Sequence, residues 1–469
     1  MTLSFGVESA GCDLAMAKIP RADDHDAHPA SEQHLLRVAA FVPSFPELSE
    51  TFILRQIVGL LERGHDVRVF AHGPAMSGPI HAERHELTRR TRVLTADAPV
   101  ARVAGGRAAP GAFLRCLTPA MARASGGWGA LVRTLEMLRG EAPFDVVHCH
   151  YGVTALRYGV AARLWRAPLV VSFYGYDASS YPRERGQRVY EPVFATSQRV
   201  TSLSAHMDGR LRALGCAPEK LRRVPLAVDA VADDDVRIPR LAALARDDRE
   251  AALVRDDREA ALARDDREAA LAREDREIRL LTVARLVEKK GIAVALRAIA
   301  SLRDELPAVR YDVIGDGPLR AELEALTVTL GIADRVRFVG TAPNDAVQQA
   351  MRDADLFLLP SLTATSGDEE GTPTVLIEAA YAGLPVLATR HAGIPEIVAD
   401  GESGVLVAEN DPAALADGLR AMLAIRERWP AMGEAGRRLI IERGHLTADV
   451  AARLESLYLE LLPVQGSGR

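Results

Sequence analysis

The sequence predicts an α/β chain of two Rossmann-like, doubly wound domains facing a central cleft, and three observations carry that expectation. Short apolar runs alternate with amphipathic stretches in both halves of the chain, the pattern of parallel strands crossed by helices. A charged, repetitive segment interrupts the alternation over residues 230–277. The 469 residues are 48 % apolar and 26 % charged, enough material for more than one core.

Taken in order, residues 1–34 end in "RADDHDAHPASEQ", which is polar and aperiodic and reads as a mobile tail whose Asp/His cluster is solvated. The first domain, 35–229, opens on the apolar run Leu36–Val42. The polar turn "SFPELSE" follows, then a helical stretch from Thr51 that Gly64 stops, and a return to strand at "DVRVFA". Further strand-like runs are "FDVVHCH", "APLVVSFYG", "RVTSLSA" and "LRRVPLAVD". In the linker, "RDDREAALV" begins at Arg246 and recurs from Arg255 and Arg264, with a degenerate copy from Arg273. Such a repeat advances a helix by about two and a half turns. Leu253, Leu262 and Leu271 would therefore face alternate sides, and no coiled-coil seam results. The second domain, 278–450, resumes the alternation through "EIRLLTVARLVEKKG", "VRYDVIGDGPLRAELEAL", "RVRFVGTAP", "DLFLLPS" and "GLPVLATRHAGIPEIV". The remainder, 451–469, holds a last helix expected to pack back on the first domain, and a tail.

Bulk properties exclude several classes. A net charge of −6 argues against nucleic acid as the partner. Cys12, Cys116, Cys149 and Cys216 lie far apart, without metal-site spacing, as in a reducing compartment. The first residues show no basic region followed by an apolar core, and no apolar run of about 18 residues occurs. The expectation is a cytoplasmic protein without a membrane span.

The chemistry concentrates in "EEGTPTVLIEAA", residues 369–380. Pro373 suits the first turn of a helix, Gly371 lets backbone approach a ligand, and the helix start offers N–H groups to a phosphate. Glu370 and Glu378 flank that turn, on the order of 10 Å apart by helical rise. The spacing matches a folded sugar–diphosphate–ribose, with one carboxylate on sugar hydroxyls, the other on ribose hydroxyls and the diphosphate between them. "ARLVEKKG" adds Arg285, Lys289 and Lys290 after a strand. Arg285 and Lys290 are candidates for the diphosphate charge, and one of the two lysines is expected in solvent. "DAD", Asp353–Asp355, mimics a metal motif but sits where a helix ends before a buried strand, and "GDGPLR" lacks the full dinucleotide fingerprint.

"ARLVEKKG", "IGDGPLR", "VRFVG", "EGTPTVLIEA" and "GLPVLATRHAGIPEIV" together resemble family 4 of the retaining glycosyltransferases, whose fold is GT-B. "PSFPELSETFI", "VHCHYG" and "SFYGYD" are similar to its branch of colanic-acid-type exopolysaccharide glycosyltransferases. The resemblance implies transfer of a sugar from a nucleoside-diphosphate sugar to a hydroxyl of a lipid-linked glycan, without a bound metal or other cofactor. It implies Arg285 and Lys290 on the diphosphate, Glu370 on the sugar and Glu378 on the ribose. Gly371, Thr372, Pro373 and Thr374 would line the donor, and Val339, Gly340 and Thr341 would lie near the base. Where the family often has histidine after the "VVSFYGYD" strand, this chain has Tyr174. His150, Tyr174, Asp177, Ser49 and Glu50 are the acceptor-side candidates, each competing with a purely structural role.

Residues 101–140 carry Arg102, Arg107, Arg115, Arg123, Arg133 and Arg139 against the single acid Glu136, with Phe113, Leu117, Met121 and Trp128 interleaved. That composition predicts either peripheral contact with an anionic membrane, at the inner face of the plasma membrane, or ordinary helices with a solvated basic face. The competing functions are a nucleotide-sugar epimerase on the same scaffold and a non-catalytic assembly partner that binds through the charged repeat.

Overall fold

A computed structural model describes residues 35–46, 50–74, 86–94, 110–141, 143–230, 277–306 and 308–463. The expected tail 1–34, Ser49, Arg102, Arg107 and the repeats within 231–276 lie outside the described residues. From Leu36 onward the chain forms one unit.

Two parallel sheets organise it. The first has the order β3–β2–β1–β4–β5–β6–β7, with β1 Arg37–Ser44, β2 Asp66–Gly73, β3 Thr91–Val93, β4 Val146–His150, β5 Leu169–Ser172, β6 Arg199–Ser202 and β7 Leu221–Arg223. The second has the order β10–β9–β8–β11–β12–β13, with β8 Ile278–Val283, β9 Val309–Ile314, β10 Val336–Gly340, β11 Leu356–Leu359, β12 Val386–Thr389 and β13 Gly404–Val407. Every strand pair is parallel. The apolar runs of β4, β5, β11 and β12 are buried throughout, as strands covered by helices on both faces require. The strand order reverses between β1 and β4, and again between β8 and β11. Both switch points open at the carboxyl ends of their strands, where doubly wound sheets take ligands.

The domains are joined by two adjacent crossings. Val228 donates its N–H to His445 O at 2.8 Å, and Thr447 donates its N–H to Val228 O at 2.9 Å. Beyond the second crossing, the helix Thr447–Leu459 lies against the first-domain helix Thr51–Glu62. Close approach explains Gly59, where a Cβ would lie 2.8 Å from Ala451 Cβ. Tyr458 OH meets His148 Nδ1 at 2.7 Å, fixing the far end of the last helix to the first sheet.

Candidate active site

A cavity of about 910 Å³ opens between the two domains, at the upper end of the range for small-molecule sites. Its second-domain wall is made by the loops that follow β8, β9, β10 and β11. Gly315 and Gly317, after β9, permit that convergence, since a Cβ on either would lie 1.9 Å from Ala284 O or 2.6 Å from Leu286 O.

The loop after β11 is where charge is sorted. Asp368, Glu369 and Glu370 are consecutive, and their side chains take partners on alternating sides, as extended backbone dictates. Asp368 Oδ2 pairs with Lys289 Nζ at 3.0 Å, and Glu370 Oε1 pairs with Lys290 Nζ at 2.7 Å. Glu369 instead reaches the first domain, where it is paired with Arg210 and lies 3.2 Å from His206 Nε2. Neither lysine is therefore solvent-bound. The expectation that one of the two lysines lies in solvent is not met, because the loop returns over Lys289 and Asp368 holds it.

Glu370 is buried, which alone would favour its neutral form. Lys290, Lys289 and His391 outweigh that and hold its pKa below the usual carboxylate range. Burial opposes ionisation of Glu369 as well, but His206 and Arg210 bring its pKa down to about 2. His391 sits beneath the loop, accepting the Glu370 N–H at Nε2 (3.2 Å) and meeting Glu409 Oε2 through Nδ1. Glu369 and His391 were not among the residues singled out from the sequence. The acid run and the "RHAG" turn after β12 were the signals available.

Arg285 lines the same cavity, is exposed, and has no ion pair with a carboxylate among the described residues. The helix Thr374–Tyr381 begins beside it, with no side-chain cap. Thr372, Pro373, Thr374 and Val375 line the cavity there, and Thr372 Oγ1 is buried without a hydrogen-bond partner among the described residues. Gly371 touches the first domain, since a Cβ on it would lie 1.7 Å from Tyr174 O. Glu378, inside that helix, lines the cavity and pairs with Arg55 of the first domain at 2.8 Å. Thr341 is at the cavity too. Gly340 lies behind it, its carbonyl accepting the Gly315 N–H at 2.8 Å. Val339 is not brought there: it projects from edge strand β10 and is 42 % exposed.

The opposite wall is aromatic. Tyr174 packs on Phe52 and Tyr151 at ring distances of 4.7 Å and 4.8 Å, and Tyr176 adds a further ring at the cavity. Tyr151 OH donates to Glu50 Oε1 at 2.8 Å, and both residues line the cavity. Tyr151 holds a positive φ of 72°, a conformation uncommon for an aromatic residue and costly unless its surroundings enforce it. Two acceptor-side candidates are corrected. His150 is buried behind Tyr174, whose OH it meets at 2.7 Å, and does not line the cavity. Asp177 is also fully buried, because its carboxylate accepts the N–H groups of Gly152, Tyr174 and Gly175 and thereby folds the turn after β5. The decoy Asp355 likewise accepts the Arg279 N–H at 3.0 Å, tying β11 to β8.

In the stretch 101–140, Phe113, Leu117 and Met121 pack inward against the first-domain core, so they do not form an aromatic-bearing surface. Trp128 is 51 % and Leu114 67 % exposed, and Arg115, Arg123, Arg133 and Arg139 of the same stretch are exposed as well. No helix among the described residues is long and apolar enough to cross a membrane.

Comparison with known proteins places the chain in a family. The family described as Glycosyl transferases group 1 matches residues 263–439, and the Glycosyl transferase 4-like domain matches residues 49–227. The chain is 32 % identical to a Salmonella typhimurium protein assigned to colanic acid biosynthesis as the glycosyltransferase WcaL, over 81 % of this chain and 89 % of that one. It is 29 % identical to the amylovoran biosynthesis glycosyltransferase AmsK of Erwinia amylovora, over 81 % of this chain and 89 % of that one. Among solved structures, Anabaena HepE in complex with UDP-glucose superposes with a TM-score of 0.62 at 18 % identity, covering 91 % of this chain and all of that one, which shows the shared fold. The chain is a GT-B glycosyltransferase of exopolysaccharide biosynthesis and belongs to family 4, in the colanic-acid branch.

Proposed function

We propose that the chain transfers a sugar from a nucleoside-diphosphate sugar to a hydroxyl of a lipid-linked glycan, with retention at the anomeric carbon. One observation carries this reading: Arg285, the Lys290–Glu370 pair and the uncapped start of helix Thr374–Tyr381 converge on one cavity. Fixed positive charge and unpaired N–H groups suit a diphosphate, and a buried ionised carboxylate beside them suits the sugar hydroxyls. UDP-glucose in the fold neighbour HepE supports a nucleotide-sugar donor.

In the proposed reaction the bond from the anomeric carbon to the diphosphate oxygen breaks. The acceptor oxygen attacks the same face, and its proton passes to the departing phosphate oxygen. Arg285 and Lys290 stabilise the charge that develops on the diphosphate, the larger protein contribution in such chemistry. Glu370 orients the sugar, and Glu378 takes the ribose. Tyr151, Tyr174, Tyr176 and Glu50 form the acceptor wall. Exposed Arg115, Arg123, Arg133 and Arg139, with Trp128 and Leu114, are the surface that would meet an anionic membrane carrying the acceptor.

The test is turnover of purified Glu370→Ala and Lys290→Ala with a panel of UDP-, GDP- and ADP-sugars. Each variant is expected to lose roughly 10²–10³-fold in kcat, the scale of removing one group that stabilises transition-state charge. Near-normal turnover in either variant contradicts the assignment.

A further inference from the structure

Arg55 stands where three parts of the chain meet. It projects from the first-domain helix Thr51–Glu62, whose Phe52, Ile53, Ile57 and Leu60 are buried. Its Nη1 donates to Glu378 Oε1 at 2.8 Å and to Ala227 O at 3.2 Å, while Nε donates to Asp229 Oδ2 at 3.1 Å. Asp229 Oδ1 accepts in turn from Thr447 Oγ1 at 3.0 Å, so the second domain crossing belongs to the same network. The Arg55 and Glu378 side chains are only 7 % and 9 % exposed, yet both line the cavity.

Resting on the reading of Glu378 as the ribose carboxylate, we propose that Arg55 is a positioning residue of the nucleotide site. By holding Oε1 of Glu378, it leaves Oε2 for the ribose hydroxyls and sets the preference for ribonucleotide over 2′-deoxyribonucleotide donors. Three physical points support this. A charge-assisted hydrogen bond, here at 2.8 Å, holds a buried carboxylate in one orientation, so Arg55 fixes which way Glu378 presents its other oxygen. The guanidinium keeps its own charge: burial opposes it, but Glu378 and Asp229 hold its pKa above the usual value. The arginine is also fixed from behind, because Gly59 seats its helix against Ala451 and Asp229 anchors Nε. A buried acceptor fixed in this way rejects an analogue that lacks its hydroxyl, since the acceptor is then left unpaired.

The simpler role is a buried tie between domains, and it has a different signature. Loss of a tie changes melting without changing which sugar of the nucleotide is preferred. The experiment first finds which of UDP, GDP and ADP raises the melting temperature most. Binding of that nucleotide and of its 2′-deoxy counterpart is then measured by calorimetry to wild type, Arg55→Gln, Arg55→Lys and Glu378→Gln. Wild type is expected to prefer the ribonucleotide by about tenfold, the equivalent of one hydrogen bond to a charged group. Arg55→Gln is expected to bring that ratio close to one by weakening the ribonucleotide alone, and Arg55→Lys to restore part of it. An unchanged ratio in both Arg55 variants overturns the proposal, and the lysine variant decides if the glutamine variant does not fold. A preference that survives in Glu378→Gln, or is absent from wild type, overturns the ribose reading of Glu378 itself. A preference lost in Glu378→Gln but kept in the Arg55 variants overturns only the role of Arg55.

Discussion

On the second-domain side of the cavity, one loop supplies Arg285, Lys289 and Lys290 and another supplies the acids that face the two lysines. On the other side, Phe52, Tyr151 and Tyr174 come from separate segments and present rings, while His150 and Asp177 of the same motifs are buried behind them. The difference follows from what each wall has to do. A diphosphate has fixed charge and needs cations at fixed places, which a short motif delivers. A wall that receives a neutral hydroxyl acceptor needs shape, and polar groups near it serve to hold that shape.

Three substitutions or conditions sharpen this contrast. The largest effect is expected where the walls touch. Gly371→Ala places a methyl group against Tyr174 O, a clash between domains rather than within one. Turnover should fall by roughly 10–100-fold, as for other lesions in closure, together with a drop in melting temperature as the two backbones move apart. A large loss of melting temperature with native turnover would mean that the contact is only structural.

Asp177→Asn should act on stability alone. Its carboxylate accepts three backbone N–H groups, so weakening those bonds should cost about 2 kcal/mol of stability in a denaturant titration. Turnover of the folded fraction should change by no more than a few-fold. A loss of turnover as deep as that of Glu370→Ala would return Asp177 to the acceptor site.

The smallest effect per group is acid sensitivity of the first sheet and the domain crossing. His148, His150 and His445 are buried, and burial lowers their pKa values, to about 3 for His148 and about 4 for His445. The unfolded chain takes up protons near pH 6.5 and the folded chain does not, so stability is full above that value and falls as pH drops below it. Each buried histidine should contribute up to about 1.4 kcal/mol of loss per pH unit. Unfolding free energies measured from pH 7 to pH 5 check this. A flat profile would contradict the neutral, buried state of these rings.

The contrast also explains what was readable from the sequence. Apolar runs such as "DLFLLPS" and "GLPVLAT" announced their strands because both sheet faces are covered. "EEGTPT" and "ARLVEKK" are brought to one cavity wall, where their ion pairs stay within the second domain. β3, only three residues long, carries no comparable signal. Val339 shares a motif with Thr341, yet it lies on the exposed face of edge strand β10, which ends at Gly340 with a positive φ of 84° before Thr341 turns to the cavity. Asp177 and His150 looked functional as polar residues at strand ends. Only the backbone path shows that their hydrogen bonds are already taken. Arg55 meets Glu378 across 323 positions of sequence, and Glu369 meets Arg210 across 159, so neither pairing leaves a local trace.

The central claim is that Arg285 and Lys290 hold a nucleotide's diphosphate. The most direct measurement is the rise in melting temperature given by UDP, GDP and ADP in wild type and in an Arg285→Gln/Lys290→Gln double variant, because a ligand that binds only the native state raises it. The account predicts a clear rise with at least one nucleotide in wild type and its loss in the double variant. An equal rise in both proteins would contradict it.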